Sequence, residues 1–283
     1  MRLSTAEGNL SEIYFPLTAN PAGYNHLLLA ESVLWQFPET QSLVFILSNG
    51  RHPDPFKTVQ IPHASLRYEI LRSALLDWSD PENSLPARYA DESGVLLKLG
   101  RNNCTISRWE LSFKRPLRLA DHVQYFSTEQ KIALIVGADL IQRMLDPRIF
   151  TDTDLAQIES DCLLIAAPRD DIDLKKTLQL IKQKRGLKLS VLQITPIVLP
   201  KKLQKFYQIS STHIRKAAQA GHSLEAFLPV NATLHISQNH LYNRQKQNTD
   251  SNYSHLNEHQ HSCFELKEQL EAAAVKLQKH LVQ

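Results

Sequence analysis

The chain has 283 residues, of which 42% are hydrophobic, enough to build one large globular domain or a domain with an appendage. Its formal net charge of +3 is too small, and its lysines and arginines too dispersed, to indicate a nucleic-acid-binding protein. Its three cysteines are far apart and predict neither a disulfide framework nor a paired metal site. No apolar run reaches membrane-spanning length and no targeting pattern is visible, so we expect a soluble cytoplasmic protein without a membrane partner.

The first predicted element is a short strand over residues 11–19 that ends at Thr18. A turn over residues 20–25 follows, and His26 then opens a helix. Strand, tight turn and helix in this order are typical of the phosphate-binding opening of a Rossmann-like unit. A histidine in the first turn of that helix would lie at the carboxyl edge of the sheet, although a capping or surface role is the common alternative. The buried face of the helix is predicted from apolar residues at helical spacing, namely Leu27, Ala30, Leu34 and Phe37.

The middle of the chain contains further short apolar runs that predict strands. Two of them, residues 131–136 and 162–167, are apolar throughout except for Lys131 at the start of the first, as expected for strands buried on both faces of a parallel sheet. The run 42–47 predicts the second strand in chain order, and the alternation over residues 109–113 predicts another short strand. We therefore predict an α/β fold with a Rossmann-like open parallel sheet flanked by helices.

Residues 209–215, Ile-Ser-Ser-Thr-His-Ile-Arg, form the most informative segment of the chain. Ser210, Ser211 and Thr212 are favourable helix N-cap residues. The N–H groups and the positive dipole end of the helix that follows attract anions, and Arg215 can donate twice to a phosphate oxygen. The segment predicts a helix start that binds a polyphosphate; the alternative is an ordinary capped helix with a surface arginine.

Residues 18–26 and 209–215 together resemble the nucleotidyltransferases that move AMP from ATP onto a phosphate-bearing acceptor, most closely the nicotinate mononucleotide adenylyltransferases. That family begins with a strand followed by Thr-Phe-Asn-Pro-x-His-x-Gly-His and ends with Ile-Ser-Ser-Thr-x-Ile-Arg. This chain matches the second of these motifs fully. The order of the elements between the motifs also agrees, and the resemblance covers about residues 11–242. Within the His-x-Gly-His part of the first motif two residues depart, because Gly23 replaces the family's first histidine and Asn25 replaces its glycine.

The resemblance implies an in-line attack of the acceptor phosphate on the α-phosphorus of ATP, with Mg²⁺ carried by the ATP and no dedicated metal site in the protein. It implies His26 and Arg215 as the catalytic groups, with His26 donating to the phosphates and Arg215 neutralising the leaving pyrophosphate. Asp139 would contact the adenosine part of ATP or, alternatively, cap a helix. The full set of implied ATP contacts is Thr18, Asn20, His26, Gly137, Asp139, Ser210, Ser211, Thr212 and Arg215.

The acceptor contacts implied by the resemblance are Ser48, Asn49, Lys57 and Arg67, with a solvated surface charge as the alternative for Lys57. The identity of the acceptor is left open. It is nicotinate mononucleotide, which would yield deamido-NAD, or another phosphate acceptor such as nicotinamide mononucleotide or phosphopantetheine. Gly23 and Asn25 also leave open a nucleotide-binding module that has lost catalysis. Beyond the domain at residues 1–242 we predict a polar linker at 243–262 and a helical tail at 263–283, which could dock on the domain or pair with a partner helix. A homo-oligomer stays open.

Overall fold

The computed structural model describes residues 10–51, 61–80, 99–100, 103–127, 131–167, 172–194, 206 and 209–242. Lys57, the predicted linker at 243–262 and the predicted helix at 263–283 lie outside these residues, so the interpretations placed on them stay predictions.

The described residues contain a six-stranded sheet in which all neighbouring strands pair in parallel. The strand order is β3-β2-β1-β4-β5-β6, which places the first and fourth strands side by side at the centre. The first three strands are added outward from β1 on one side, and the last three outward from β4 on the other. Open α/β sheets bind ligands in the crevice at the point where the strand order changes direction, here between β1 and β4. The strands are β1 (Glu12–Leu17), β2 (Ser42–Leu47), β3 (Cys104–Ser107), β4 (Ile132–Gly137), β5 (Cys162–Ala167) and β6 (Val191–Gln193).

Helices connect these strands and cover both faces of the sheet. One face packs against α3 to α6 through a cluster that includes Val44, Leu134 and Leu164 from the strands. The helices of the described residues are α1 (Tyr24–Gln36), α2 (Ala64–Trp78), α3 (Leu119–Phe126), α4 (Ala138–Arg143), α5 (Asp152–Asp161), α6 (Leu174–Arg185), α7 (Ser211–Gln219) and α8 (Val230–Gln238). None of them is both long and apolar enough to cross a membrane.

The apolar runs fold as predicted because each supplies two buried faces. The predicted second strand and the strand at 162–167 match β2 and β5 at both ends, and β1 ends one residue before Thr18. In α1, the predicted core face is buried along its length, from Leu27 at 0% exposure to Phe37 at 2%. These elements carry the candidate site at their ends.

The prediction of a strand at residues 109–113 is wrong. The segment Trp109–Ser112 is a short 3₁₀ helix, and the strand of this region, β3, precedes it. The alternation arises because Trp109 stacks on Tyr125 with ring centroids 4.3 Å apart, while Glu110 turns inward to a buried partner. A short 3₁₀ helix can point alternate side chains to opposite sides as a strand does, so the alternation over residues 109–113 does not distinguish the two structures.

Candidate active site at the carboxyl edge of the sheet

The two sequence motifs meet at the turn that follows β1. The Ser211 hydroxyl at the start of α7 donates to the carbonyl of Pro21 at 2.8 Å. The Arg215 guanidinium, one helical turn further, donates to the carbonyl of Asn20 at 2.6 Å. These contacts join residues about 190 positions apart in the chain, so the predicted phosphate turn and the predicted phosphate helix are in direct contact.

The first turn of α7 is organised by its own side chains. Ser210 is the N-cap residue, and its hydroxyl accepts from the His213 N–H at 3.3 Å. The Ser210 N–H in turn donates to Nδ1 of His213 at 3.2 Å. Arg215 also donates to the Thr212 hydroxyl at 3.0 Å, which holds the guanidinium over the start of the helix. Hydroxyls, a guanidinium and the positive end of a helix dipole therefore converge there, an arrangement that attracts phosphate.

Hydrogen bonds from Arg67 stabilise the turn after β1. This guanidinium is 1% exposed and donates to three carbonyls, those of Thr18, Ser48 and Pro62. It thereby ties the ends of β1 and β2 to the start of α2. Ala19, in the middle of the turn, has a φ of +50°, a left-handed conformation that costs a non-glycine residue energy and persists only where the surroundings enforce it. The predicted acceptor contact of Arg67 stays a prediction.

His26 lies in the first turn of α1 with its proton position fixed by the backbone. The Gly23 N–H donates to Nδ1 of His26 at 3.2 Å. Because Nδ1 is the acceptor, the neutral imidazole carries its proton on Nε2 and presents an N–H donor. The ring lies beside Phe15 of β1, with the ring centroids 6.2 Å apart. This arrangement suits a donor to a phosphate oxygen, which is the predicted role.

Gly23 occupies a tightly packed position. A Cβ atom added there would lie 2.5 Å from Cδ1 of Ile214 on α7 and 3.1 Å from the Phe227 carbonyl oxygen. The side chain of Asn25 fills the remaining side, with its Oδ1 3.0 Å from that Cβ position. This Oδ1 is buried without a hydrogen-bond partner among the described residues. A side chain at the place where the family motif has its first histidine would therefore require Ile214 to move.

Gly137 and Asp139 lie at the end of β4, across the central crevice. The carboxylate of Asp139 folds back over Gly137, so a Cβ at that position would require the carboxylate to move. Gly137, not Asp139, is the N-cap residue of α4, so the alternative interpretation of Asp139 as the cap is wrong. Arg143 lies 3.6 Å from the Asp139 carboxylate, one helical turn away. Gly137 and Asp139 both lie at the carboxyl edge of the sheet. Their predicted contact with adenosine stays a prediction.

A cavity of about 200 Å³ opens beside the turn, at the carboxyl ends of β1 and β2. Its wall combines an apolar side, which includes Leu140 and Phe150, with three guanidinium-bearing residues. Cationic groups against an apolar wall suit a small molecule with anionic groups and a flat ring. Besides the predicted residues Thr18 and Ser48, the polar lining comprises Arg51, Glu110, Arg118, His122 and Arg143.

Asn49, which was predicted to contact the acceptor, uses its side chain to fasten the cavity rim. Its Nδ2 donates to the carbonyls of Phe113 at 3.2 Å and Arg115 at 2.8 Å. Its Oδ1 accepts from the N–H of Arg51 at 2.9 Å. The neighbouring Ser48 hydroxyl accepts from the N–H of Gly50 at 3.1 Å. The described geometry thus gives Asn49 a role in shaping the loop, and its predicted acceptor contact stays a prediction.

Asp121 fixes the start of α3 at the same rim. Burial alone would raise its pKa, but hydrogen bonds from the Arg115 guanidinium and the Arg118 N–H outweigh burial and hold the pKa of Asp121 below its ordinary value. The Arg115 bond is bidentate, at 2.6 and 3.1 Å. Arg118 itself donates to Asp154 at 2.8 Å. The guanidinium of Arg118 is therefore oriented before any ligand enters the cavity.

Comparison with known proteins agrees with the motifs. No protein-family model matches the chain. A curated relative described as a probable nicotinate-nucleotide adenylyltransferase, from Synechococcus sp. (strain JA-2-3B'a(2-13)), is 26% identical over 226 residues, which cover 80% of this chain and 93% of the relative.

Two solved structures of Plasmodium falciparum nicotinic acid mononucleotide adenylyltransferase, one complexed with APC and one with NaAD, superpose with TM-scores of 0.54 and 0.50. They are 11% and 13% identical to this chain, and each alignment covers 82% of this chain and 96% of the other. The predicted Rossmann-like fold and the predicted resemblance to these adenylyltransferases are confirmed.

Proposed function

We propose that this chain transfers AMP from magnesium-bound ATP to a mononucleotide phosphate with release of pyrophosphate, and that nicotinate mononucleotide is the acceptor. The observation that carries the proposal is the junction of the two motifs, in which Ser211 and Arg215 of α7 hydrogen-bond the turn that bears Asn20 and Pro21. The names of the curated relative and of both solved structures support the choice of acceptor.

The triphosphate would lie between the starts of α1 and α7. His26 donates from Nε2 to the α- and β-phosphates as negative charge develops there, and Arg215 compensates the charge of the departing pyrophosphate. The acceptor phosphate attacks the α-phosphorus in line, so no covalent enzyme intermediate forms and the protein contributes position and charge compensation.

Magnesium enters this reaction as part of the substrate. Within the described residues, no group of three or more histidine, cysteine, aspartate and glutamate side chains lies close enough to hold a metal ion. Phosphate oxygens and water supply most of the ligands of magnesium bound to a nucleotide. The donors present at the start of α7, hydroxyls and a guanidinium, suit the phosphates rather than the cation.

The acceptor would occupy the cavity beside the turn. Its guanidinium groups, Arg51, Arg118 and Arg143, can neutralise a phosphate and a ring carboxylate, and its apolar wall can cover a pyridine ring. Another acceptor with a phosphate would use the same cations but would fit the apolar wall differently. A direct comparison of acceptors therefore tests the assignment.

The test is pyrophosphate release from ATP and magnesium with nicotinate mononucleotide, nicotinamide mononucleotide and phosphopantetheine, one at a time. We expect turnover with the first, and loss of one preorganised donor in His26→Ala should lower kcat by about 10²–10³. His235→Ala on α8 is the matched control, since this histidine is half-buried and bonds Ser73 at 3.0 Å away from the motifs. Parental turnover in His26→Ala would refute the site. ATP binding without pyrophosphate release from any acceptor would favour a nucleotide-binding module without catalysis.

A further inference from the structure

A glutamate and a histidine that no motif singles out form a buried pair at the cavity. Glu110 is 3% exposed and His122 is 4% exposed, and both line the cavity. Oε2 of Glu110 lies 3.0 Å from Nε2 of His122. Glu110 comes from the short 3₁₀ helix after β3, and His122 comes from the first turn of α3 that follows it.

The hydrogen bonds of the imidazole define where its protons lie. Nδ1 of His122 is 2.9 Å from the carbonyl oxygen of Arg118, which can only accept, so Nδ1 carries a proton. The contact between Nε2 and Oε2 of Glu110 then shares one further proton. A buried polar group is stable only when it has a hydrogen-bond partner. This pair meets that condition whether the shared proton lies on Nε2 of His122 or on Oε2 of Glu110.

The outer ends of the pair hold two separate segments of the cavity wall. Oε1 of Glu110 accepts from the N–H of Asn49, in the loop after β2, at 3.0 Å. His122 holds the carbonyl of Arg118 just before α3. Arg51 and Arg118, two of the cavity's guanidinium-bearing residues, lie on these same two segments. The pair therefore connects two separate segments of the chain that both line the cavity.

We propose that Glu110 and His122 are positioning residues that set the affinity for the acceptor, an inference that rests on the proposed function. They act through the Asn49 loop and the Arg118 backbone and need not touch the acceptor. The ATP phosphates use different elements, the starts of α1 and α7. Loss of the pair should consequently raise KM for the acceptor and leave KM for ATP almost unchanged, which a general loss of stability would not do.

Two substitutions at one position separate geometry from charge. Glu110→Gln keeps both hydrogen bonds, because its carbonyl oxygen accepts from Asn49 and its amide donates to Nε2 of a neutral His122. Glu110→Ala removes both. We expect Glu110→Ala to raise KM for nicotinate mononucleotide by about 10- to 100-fold, as misplaced substrate-positioning groups do, with KM for ATP within about twofold. Glu110→Gln should stay near the parent protein.

Glu31 provides the matched control, because it is also a buried glutamate with two hydrogen bonds, at 1% exposure. Its Oε2 accepts from the N–H of Leu99 at 2.9 Å and from Nε1 of Trp78 at 3.3 Å. Glu31 does not line the cavity. Glu31→Ala should lower the melting temperature without changing either KM. If Glu110→Ala does not fold, His122→Asn takes its place, since asparagine can still donate to the Arg118 carbonyl while losing Glu110.

The outcomes divide clearly. An unchanged KM for the acceptor in Glu110→Ala, or an equal rise in Glu31→Ala, overturns the positioning role. Absence of turnover in the parent protein with all acceptors instead refutes the proposed function. In that case calorimetric titration with nicotinate mononucleotide decides the role of the pair: affinity lost in Glu110→Ala and kept in Glu110→Gln supports it, and equal affinity or no binding by the parent overturns it.

Discussion

Substitution of Gly23 tests whether the closed first motif is a packing feature of the folded protein. Gly23 has a φ of −94°, which any residue adopts, so a side chain there meets a steric obstacle and no backbone strain. The obstacle is Cδ1 of Ile214, 2.5 Å from the new Cβ atom. Inserting one carbon into a well-packed core costs about 1–3 kcal/mol. Gly23→Ala should therefore lower the free energy of unfolding by about 1–2 kcal/mol, because reduced freedom of the unfolded chain offsets part of the cost.

A second substitution removes that same obstacle. Ile214→Val deletes Cδ1 and by itself should cost about 0.5–1.5 kcal/mol as a cavity. In the double variant the new Cβ atom fills the space that Cδ1 leaves, so the two costs should partly cancel. The remaining approaches to Asn25 Oδ1 at 3.0 Å and the Phe227 carbonyl at 3.1 Å prevent a complete rescue. We expect a favourable coupling energy of about 1 kcal/mol between the two positions.

Urea unfolding of the parent, both single variants and the double variant measures the coupling. The four midpoints and slopes give the free energies of unfolding directly. If the double variant loses the sum of the two single losses within about 0.5 kcal/mol, the steric argument fails. Failure there would also remove the reason given for the absence of a histidine at position 23.

Three further predictions follow from individual side chains. Arg67→Lys should lower the free energy of unfolding by about 2–3 kcal/mol in urea, because an ammonium cannot reproduce a fork that donates to three carbonyls; an unchanged midpoint would contradict this. Gly186 follows the last residue of α6 with a φ of +69°, and a Cβ atom added there would touch none of the described residues. Gly186→Ala should therefore lower the free energy of unfolding by about 1–2 kcal/mol through backbone strain alone, measured in the same assay. Burial raises the pKa of Cys104 to about 11 and that of Cys162 to about 12, so mass spectrometry should find both unalkylated by iodoacetamide at pH 8 in the native protein and labelled in urea.

The parts of the fold that could be predicted are those in which one local pattern determines the structure. Apolar runs of about six residues favour strands buried on both faces of a sheet. β2 and β5 match their predicted bounds. The start of α7 was predictable because capping is a local interaction, and Ser210 caps the helix through its own hydroxyl. The 109–113 segment failed because a 3₁₀ turn and a strand bury the same residues over so short a length.

The cavity could not be predicted because its residues share no local pattern. Glu110, Arg118, His122 and Arg143 come from three elements, and each alone resembles an ordinary surface or helix residue. Their proximity depends on the parallel strand order, which brings the ends of β1, β2 and β4 to one edge. A buried histidine twelve residues after a buried glutamate gives no periodic signal, so only the three-dimensional structure reveals the pair.

Replacement of the family's first histidine by Gly23 predicts a slower enzyme rather than an inactive one. One lost donor costs about 10²–10³ in rate, or about 2.7–4 kcal/mol, whereas enzymes accelerate reactions by about 10⁶-fold or more. The two groups that we propose as remaining donors already have hydrogen-bond partners in the protein: His26 accepts from the Gly23 N–H, and Arg215 donates to Asn20 and Thr212. Because preorganised donors need no rearrangement as charge develops, a site that keeps them retains most of its transition-state stabilisation. Gly23 contributes to that order directly, since its backbone N–H fixes the tautomer of the histidine that remains.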